Sequence, residues 1–268
     1  MVTVLRPLST SELLDRTFYL YRNNFPLFVG ITAIPQLLVL ALHLSAAVMA
    51  IGGQLIGLGV ITLVSLFANY VAIQVSHSAT VVAVSNVHLD QPVSIGSAYR
   101  TARPAMLRVI GISLVIIIAA FLGFLLLVIP GIYLLLMWSL AIPVTVLEGG
   151  GLNLSTARSR QLTNGSRGRI FIIYLLIVVL AIVISVVIEW PLGILAALLG
   201  YRQTGNLMAV VEAVQAAGNF ISTCLIGPLA TIALTLIYYD QRVRKEGFDL
   251  ELMMARLQPQ AATAARNA

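Results

Sequence analysis

The sequence predicts an all-α polytopic membrane protein. Six transmembrane helices form three hairpins, basic interfacial helices lie between them, and both termini are cytoplasmic. Three observations predict this. The 268 residues have a mean hydropathy of +0.98 and are 59% hydrophobic but only 10% charged, whereas a soluble domain carries about a quarter charged residues. Four long stretches hold no formal charge, and they are long enough for six crossings of a hydrocarbon core about 30 Å thick. All but one of the 16 Lys and Arg fall in segments on one side of those crossings.

The charge-free stretches place the spans. Between Arg22 and Asp90 lie 67 residues, enough for helices at 26–49 and 57–84 broken near "IGGQLIGLG". Between Arg108 and Glu148 lie 39 residues, roughly 58 Å of helix and so two crossings with almost no loop. "IPGI" (Ile129 to Ile132) is the expected turn, since Pro and Gly punctuate helices, giving spans at 107–129 and 131–147. Single crossings follow at 169–189 and 215–239, making transmembrane pairs 26–84, 107–147 and 169–239. The first apolar run is expected to be a span and not a cleaved signal. It exceeds the usual 7–15 apolar residues, and its leading segment carries two acids.

Orientation follows from the cations. Arg6, Arg16 and Arg22 precede the first pair, Arg100, Arg103 and Arg108 the second, and Arg158, Arg160, Arg167 and Arg169 the third. Arg242, Arg244, Lys245, Arg256 and Arg266 follow the last span, leaving only Arg202 on the opposite side. Cytoplasmic loops hold the excess Lys and Arg, so both termini are expected in the cytoplasm. The basic pI near 9.8 is then a topology signal, with anionic lipid headgroups as counter-charge and no nucleic acid implied.

Three basic segments precede the three pairs. Residues 8–25 read as an interfacial helix: Ser9 and Glu12 have capping-box spacing, and Leu14, Phe18, Tyr21 and Phe25 share one face. "SIGSAYRTARPAMLRVI" and "LSTARSRQLTNGSRGRIF" occupy the corresponding places, the latter with Asn164-Gly165 as a helix stop. The third pair has a longer outer connection, from Glu189 to about Ala216. It is expected to hold an outer-leaflet helix or a re-entrant segment, with Glu189-Trp190-Pro191 as the break.

Chemistry-bearing residues are few. Glu189 marks either the outer boundary of its span or an intramembrane acid on a proton or ion path. Ser65, Asn69, Ala72, Ser76, Thr80 and Ala83 recur every three or four residues on the second span, as a packing stripe does. Asn69, His77 and Glu189 are the candidate intramembrane polar site. Arg158, Arg160, Arg167 and Arg169 are candidates for an anionic headgroup, which guanidinium groups grip bidentately, or else are ordinary topology determinants. His43, His77 and His88 lack metal-ligand spacing, and His88 with Asp90 is expected to be solvated. The single Cys224 excludes an intrachain disulfide. No nucleotide, zincin or nucleophile-elbow motif is present, so no catalytic residue, metal or cofactor is expected.

The tail explains the composition change after the last span. Tyr238 and Tyr239 sit at the expected interface, and Arg242, Arg244 and Lys245 favour a helix C-terminus that Gly247 caps. Leu250, Met253, Met254 and Leu257 then form the stripe of an amphipathic helix over 249–257, ready to meet the membrane, the loops or a protein partner. Residues 258–268 are expected to be disordered.

"RPLSTSELLDRTFYLYRNNF", "IPGIYLLLMWSLAIPVTVLEGGG" with "ARSRQLTNGSRGRIF", and "YYDQRVRKEGFDLELM" together resemble one bacterial family. It is the six-helix family named for the membrane domain of glycerophosphoryl diester phosphodiesterases. The resemblance spans roughly residues 5–257 and implies a protein of the bacterial cytoplasmic membrane. In the named enzymes a separate cytosolic barrel with metal-binding carboxylates carries catalysis, so no catalytic residue carries over to these helices. The expected function is non-catalytic: binding or organising lipid or protein partners. A transporter for a small or lipid-like solute is the alternative.

Overall fold

A computed structural model describes residues 7–51, 55–202 and 207–248, and all statements of structure concern these. They form nine helices and no strands: α1 (Thr10–Asn23), α2 (Phe25–Ile51), α3 (Leu55–His88), α4 (Ile95–Leu126), α5 (Val128–Met137), α6 (Ala141–Glu148), α7 (Leu152–Thr163), α8 (Arg167–Arg202) and α9 (Leu207–Glu246). Six stretches are long and apolar enough to cross a membrane: Phe25–Met49, Ile56–His88, Ile95–Leu126, Val128–Glu148, Arg167–Leu195 and Val211–Glu246. They coincide with the six expected spans, so the protein is an all-helical, multi-pass membrane protein. Leu37, Leu38, Phe67, Phe121, Leu125 and Val187 are all more than half exposed. Outward apolar surface on this scale needs lipid around it.

α9 is the central post. It packs along α2 and α8 and also touches α1, α3, α6 and α7. Its core side chains Ile232, Ala233, Leu236, Ile237 and Tyr238 join Phe28 and Ile31 of α2, Ala79 and Ala83 of α3 and Ile170 and Ile173 of α8. Five positions of the small-residue stripe on α3, Ser65, Ala72, Ser76, Thr80 and Ala83, are buried, as a packing stripe requires.

Local signals act as the residues dictate. Ser9 Oγ accepts from Glu12 N at 3.2 Å, while Glu12 Oε2 accepts from Ser9 N at 2.7 Å, closing the capping box of α1. Gly247 (φ 64°) and Gly165 (φ 77°) take the left-handed conformation just beyond α9 and α7. Pro35 lies inside α2 and frees the carbonyl of Ile31, one turn earlier. The Tyr99 hydroxyl of α4 donates to that carbonyl, so α2 continues through its proline.

Three expectations are corrected in detail. The turn of the second pair falls at Leu127, before "IPGI". Pro130 instead sits in the first turn of α5, where its missing N–H costs nothing, and Gly131 lies close against Gly123 of α4. The basic segment before that pair is not a separate helix but the beginning of α4. α1 buries Leu13, Thr17 and Leu20 against the bundle, while Phe18 and Phe25 of the Leu14–Phe18–Tyr21–Phe25 face are exposed. Finally, α8 runs unbroken through Glu189, Trp190 and Pro191 to Arg202, and α9 begins at Leu207. Where it is described, the connection from Glu189 to Ala216 is helical and lacks the expected break at Glu189-Trp190-Pro191. The 249–257 tail helix and residues 258–268 lie outside the described residues.

The fourth span departs most from a simple rod. It is two helices, α5 and α6, separated at Trp138–Ser139–Leu140. Pro143 supplies a cause: in a continuous helix its ring would collide with the Ser139 carbonyl, and its nitrogen has no hydrogen to donate. At the break it occupies the first turn of α6, which tolerates it.

Candidate functional site

Two polar regions emerge from this framework. The first gathers at the end of the bundle where α1 begins and α6 and α9 end. Asp240 is buried and accepts from Leu8 N at 2.7 Å, Arg169 Nη1 at 2.7 Å and Arg244 Nε at 2.9 Å. The Leu8 carbonyl in turn accepts from Arg169 at 2.7 Å and Arg244 at 2.5 Å. Beside it, Arg158 bridges Glu148 (3.0 Å) and Glu246 (2.6 Å). Glu246 also takes Arg242 at 3.1 Å, and Glu148 takes the Tyr238 hydroxyl at 2.8 Å. The hydrogen bond with Glu246 pushes the Arg158 pKa up from an already high value, so its charge is permanent. Lys245 Nζ donates to the carbonyls of Gln161 (2.8 Å) and Asn164 (2.6 Å) at the C-terminal end of α7, where a cation suits the helix dipole.

The candidate headgroup arginines therefore divide. Arg158 and Arg169 are engaged by the protein's own carboxylates. Arg167 lies over the Tyr133 ring at 4.7 Å and donates to its hydroxyl at 2.7 Å. Arg160 is exposed, and no described side chain engages its guanidinium. The expectation for His88 is corrected: it is buried, with its ring 5.2 Å from that of Tyr239. The tight packing of α3 on α9 removes it from solvent.

The second region lies at the break in the fourth span. Hydroxyls of α7 repair the interrupted backbone. Leu140 N donates to Ser159 Oγ at 3.2 Å, while Ser159 Oγ (3.0 Å) and Thr163 Oγ1 (3.2 Å) donate to the Met137 carbonyl. Non-helical backbone at membrane depth survives only with such partners or facing a cavity. Here both occur. Alongside the break is a cavity of about 240 Å³, walled by α3, α4, α5, α6, α8 and α9. Apolar walls dominate, including Ile116, Ile117, Leu135, Ile142 and Leu234, and the polar side chains are Gln74, His77, Ser113, Ser139, Tyr174 and Thr231 with the Trp138 indole. No Asp, Glu, Lys or Arg lines it.

The three candidate intramembrane residues do not converge. His77 lines the cavity. Asn69 lies about 12 Å earlier on α3, where its Oδ1 accepts from Gln36 Nε2 of α2 at 3.3 Å. Glu189 lines a separate recess with Trp190, Gly193, Ile194, Gln215 and Asn219, about 30 Å along α8 from Arg169. Gln36, Tyr174 and the α5–α6 break had no place in the expected site. Pro143 was the one local signal for the break, whereas nothing local marks Tyr174, which reaches the cavity only through packing. Among the described residues no three His, Cys, Asp or Glu side chains gather closely enough to hold a metal ion. Comparison with protein-family profiles, curated proteins and solved structures found no match.

Proposed function

We propose that this chain is a lipid-binding membrane protein without catalytic chemistry of its own. In this reading it is seated in a bacterial cytoplasmic membrane with six spans in three hairpins and both termini in the cytoplasm. The cavity at the α5–α6 break carries the binding part. Predominantly apolar walls with a few placed polar groups are the usual make-up of a small-molecule site, and the ligand that reaches membrane depth most readily is a lipid.

Other parts rest on the sequence. Orientation rests on the one-sided Lys and Arg, and the bacterial membrane rests on the family resemblance. Anionic headgroups remain the natural counter-charge for Arg160 and Arg167, because Arg158 and Arg169 already have internal carboxylate partners. A protein partner for the tail rests on its apolar stripe.

Native mass spectrometry of the protein released from lipid nanodiscs tests the binding. A retained lipid that disappears in Ala230→Leu, which fills the cavity from α9, is the expected result. Equal retention by both proteins, or none by either, sinks this assignment. The break itself favours a second reading, because discontinuous helices recur at the midplane sites of transporters. Protein-dependent movement of a fluorescent lipid across liposomes, abolished by Ala230→Leu, would select it.

A further inference from the structure

The hydrogen bonds of the cavity wall specify what kind of ligand it takes, on the reading that it holds a lipid. Three of its hydroxyls already have partners. Ser113 donates to the Val109 carbonyl at 2.7 Å and meets the Tyr70 hydroxyl at 2.8 Å, Ser139 donates to the Leu136 carbonyl at 2.9 Å, and Thr231 donates to the Gly227 carbonyl at 3.4 Å. Gln74 differs. The residue is buried, only 5% exposed, and its Oε1 has no hydrogen-bond partner. An orphaned buried acceptor is costly, and native structures rarely leave one without a reason. The His77 imidazole and the Tyr174 hydroxyl also line the cavity, and neither makes a hydrogen bond to any described residue.

We propose that the cavity binds the uncharged, hydrogen-bonding head of a long-chain lipid alcohol, which donates to Gln74 Oε1 and meets the free hydroxyl of Tyr174 and ring of His77. A hydroxyl both donates and accepts, and so does each of those two side chains taken together with Gln74. A charged head is disfavoured, because no opposite charge lines the cavity to offset its desolvation. Size agrees with a head and a short part of the chain. The cavity volume of about 240 Å³ equals roughly eight water volumes and lies below the ~300 Å³ at which sites for drug-sized ligands begin. The rest of the chain has an exit, since Ile117 and Leu135 at the wall are 49% and 41% exposed. The ligand thus enters head first, with its chain trailing into lipid between α4 and α5.

Photolabelling of the full-length protein in phosphatidylethanolamine–phosphatidylglycerol nanodiscs tests this. Three probes carry a diazirine on the same sixteen-carbon chain, sized by analogy with common lipids at roughly one bilayer leaflet: an alcohol, an alkane and an alkyl phosphate. The alcohol is expected to label residues 128–148 saturably, with the phosphate at least about tenfold weaker for want of a counter-charge. Gln74→Leu and Tyr174→Phe are each expected to weaken the alcohol by about three- to tenfold and leave the alkane unchanged. Tyr174→Phe removes an oxygen that makes no internal hydrogen bond, so it decides the matter if Gln74→Leu folds poorly. Equal saturable labelling by alcohol and alkane, insensitive to both variants, overturns the head-group assignment and leaves lipid binding standing. A phosphate that competes as well as the alcohol also overturns it. Saturable labelling by none of the three overturns both.

Discussion

At the charged end of the bundle, each of Glu148, Asp240 and Glu246 is held by an arginine at 3.1 Å or closer. In the cavity, Gln74 Oε1 meets no donor. The first region has by far the denser polar chemistry, and although Arg167 Nε and Arg169 Nε are buried there without a partner, its carboxylates are answered, and what results is a fastening. The second has few polar atoms and leaves some of them open. Density of charge in a sequence is thus a poor guide to a binding site. Unmet hydrogen-bonding capacity that faces a cavity, as at Gln74, is a better one, because the fold tolerates it at a cost.

Opposite substitutions sharpen the contrast most. Asp240→Ala removes the carboxylate that binds Leu8, Arg169 and Arg244 and strands charges around a site with 1% of its side chain exposed. A loss of about 3–5 kcal/mol is expected, as for breaking one partner from a buried ion pair. Gln74→Leu removes an acceptor that has no partner, and lipid-stripped protein should be stabilised by up to about 1–3 kcal/mol. Unfolding in mixed micelles measures both. If Asp240→Ala is silent, or Gln74→Leu strongly destabilises, the two regions are not the fastening and the open site described.

The break in the fourth span offers the next largest effect. Ser159→Ala deprives Leu140 N of its acceptor, while Thr163 still serves the Met137 carbonyl. A loss of about 1–3 kcal/mol is expected for one stranded buried amide, together with faster hydrogen exchange at residues 138–141. Exchange that stays slow would show that α7 does not hold the break together.

The same element shows what was legible beforehand. Six spans could be read because length and charge exclusion are one-dimensional properties, and the stripe on α3 because its period is local. The capping box at Ser9 and the stops at Gly165 and Gly247 were legible for the same reason. Proline was ambiguous. Pro35 and Pro191 sit within continuous helices, Pro130 begins one, and Pro143 accompanies a break, and tertiary partners such as Tyr99 and Ser159 decide among these outcomes. The candidate site was legible at Gln74 and His77, which lie off the stripe on α3 and so read as capping a polar cavity or pairing with a neighbouring helix. Asn69 satisfies Gln36, Glu189 belongs to another recess, and Gln74 gains its meaning from six helices that sequence spacing cannot bring together.

Arg158 and Arg160, two residues apart, test the division among the arginines with smaller effects. Arg158→Gln should cost about 1–2 kcal/mol, because the pair is only partly shielded and charge-assisted bonds weaken toward the surface, and the loss should shrink in high salt. Arg160→Gln should leave stability within about 0.5 kcal/mol while lowering retention of anionic lipid in native mass spectra. If both variants behave alike, the internal pairing of Arg158 is not what separates them.

The smallest effect concerns α1, the element nearest the N-terminus. The Tyr21 hydroxyl donates to the Leu225 carbonyl of α9 at 2.8 Å. Burial, with a lesser contribution from Cys224, pushes its pKa up to about 12 from the ordinary 10.0. Because the folded-state value is the higher one, folding favours the protonated phenol. That stability is fully present below pH 10 and is lost as the pH rises toward about 12. Tyr21→Phe cannot ionise, so its stability should fall less steeply than that of the parent protein across this interval, and the two should run parallel at pH 7–9. Unfolding midpoints at half-unit pH steps measure it. Parallel curves throughout would mean that α1 leaves α9 before Tyr21 ionises, and would place the docking of α1 below the Asp240 fastening in strength.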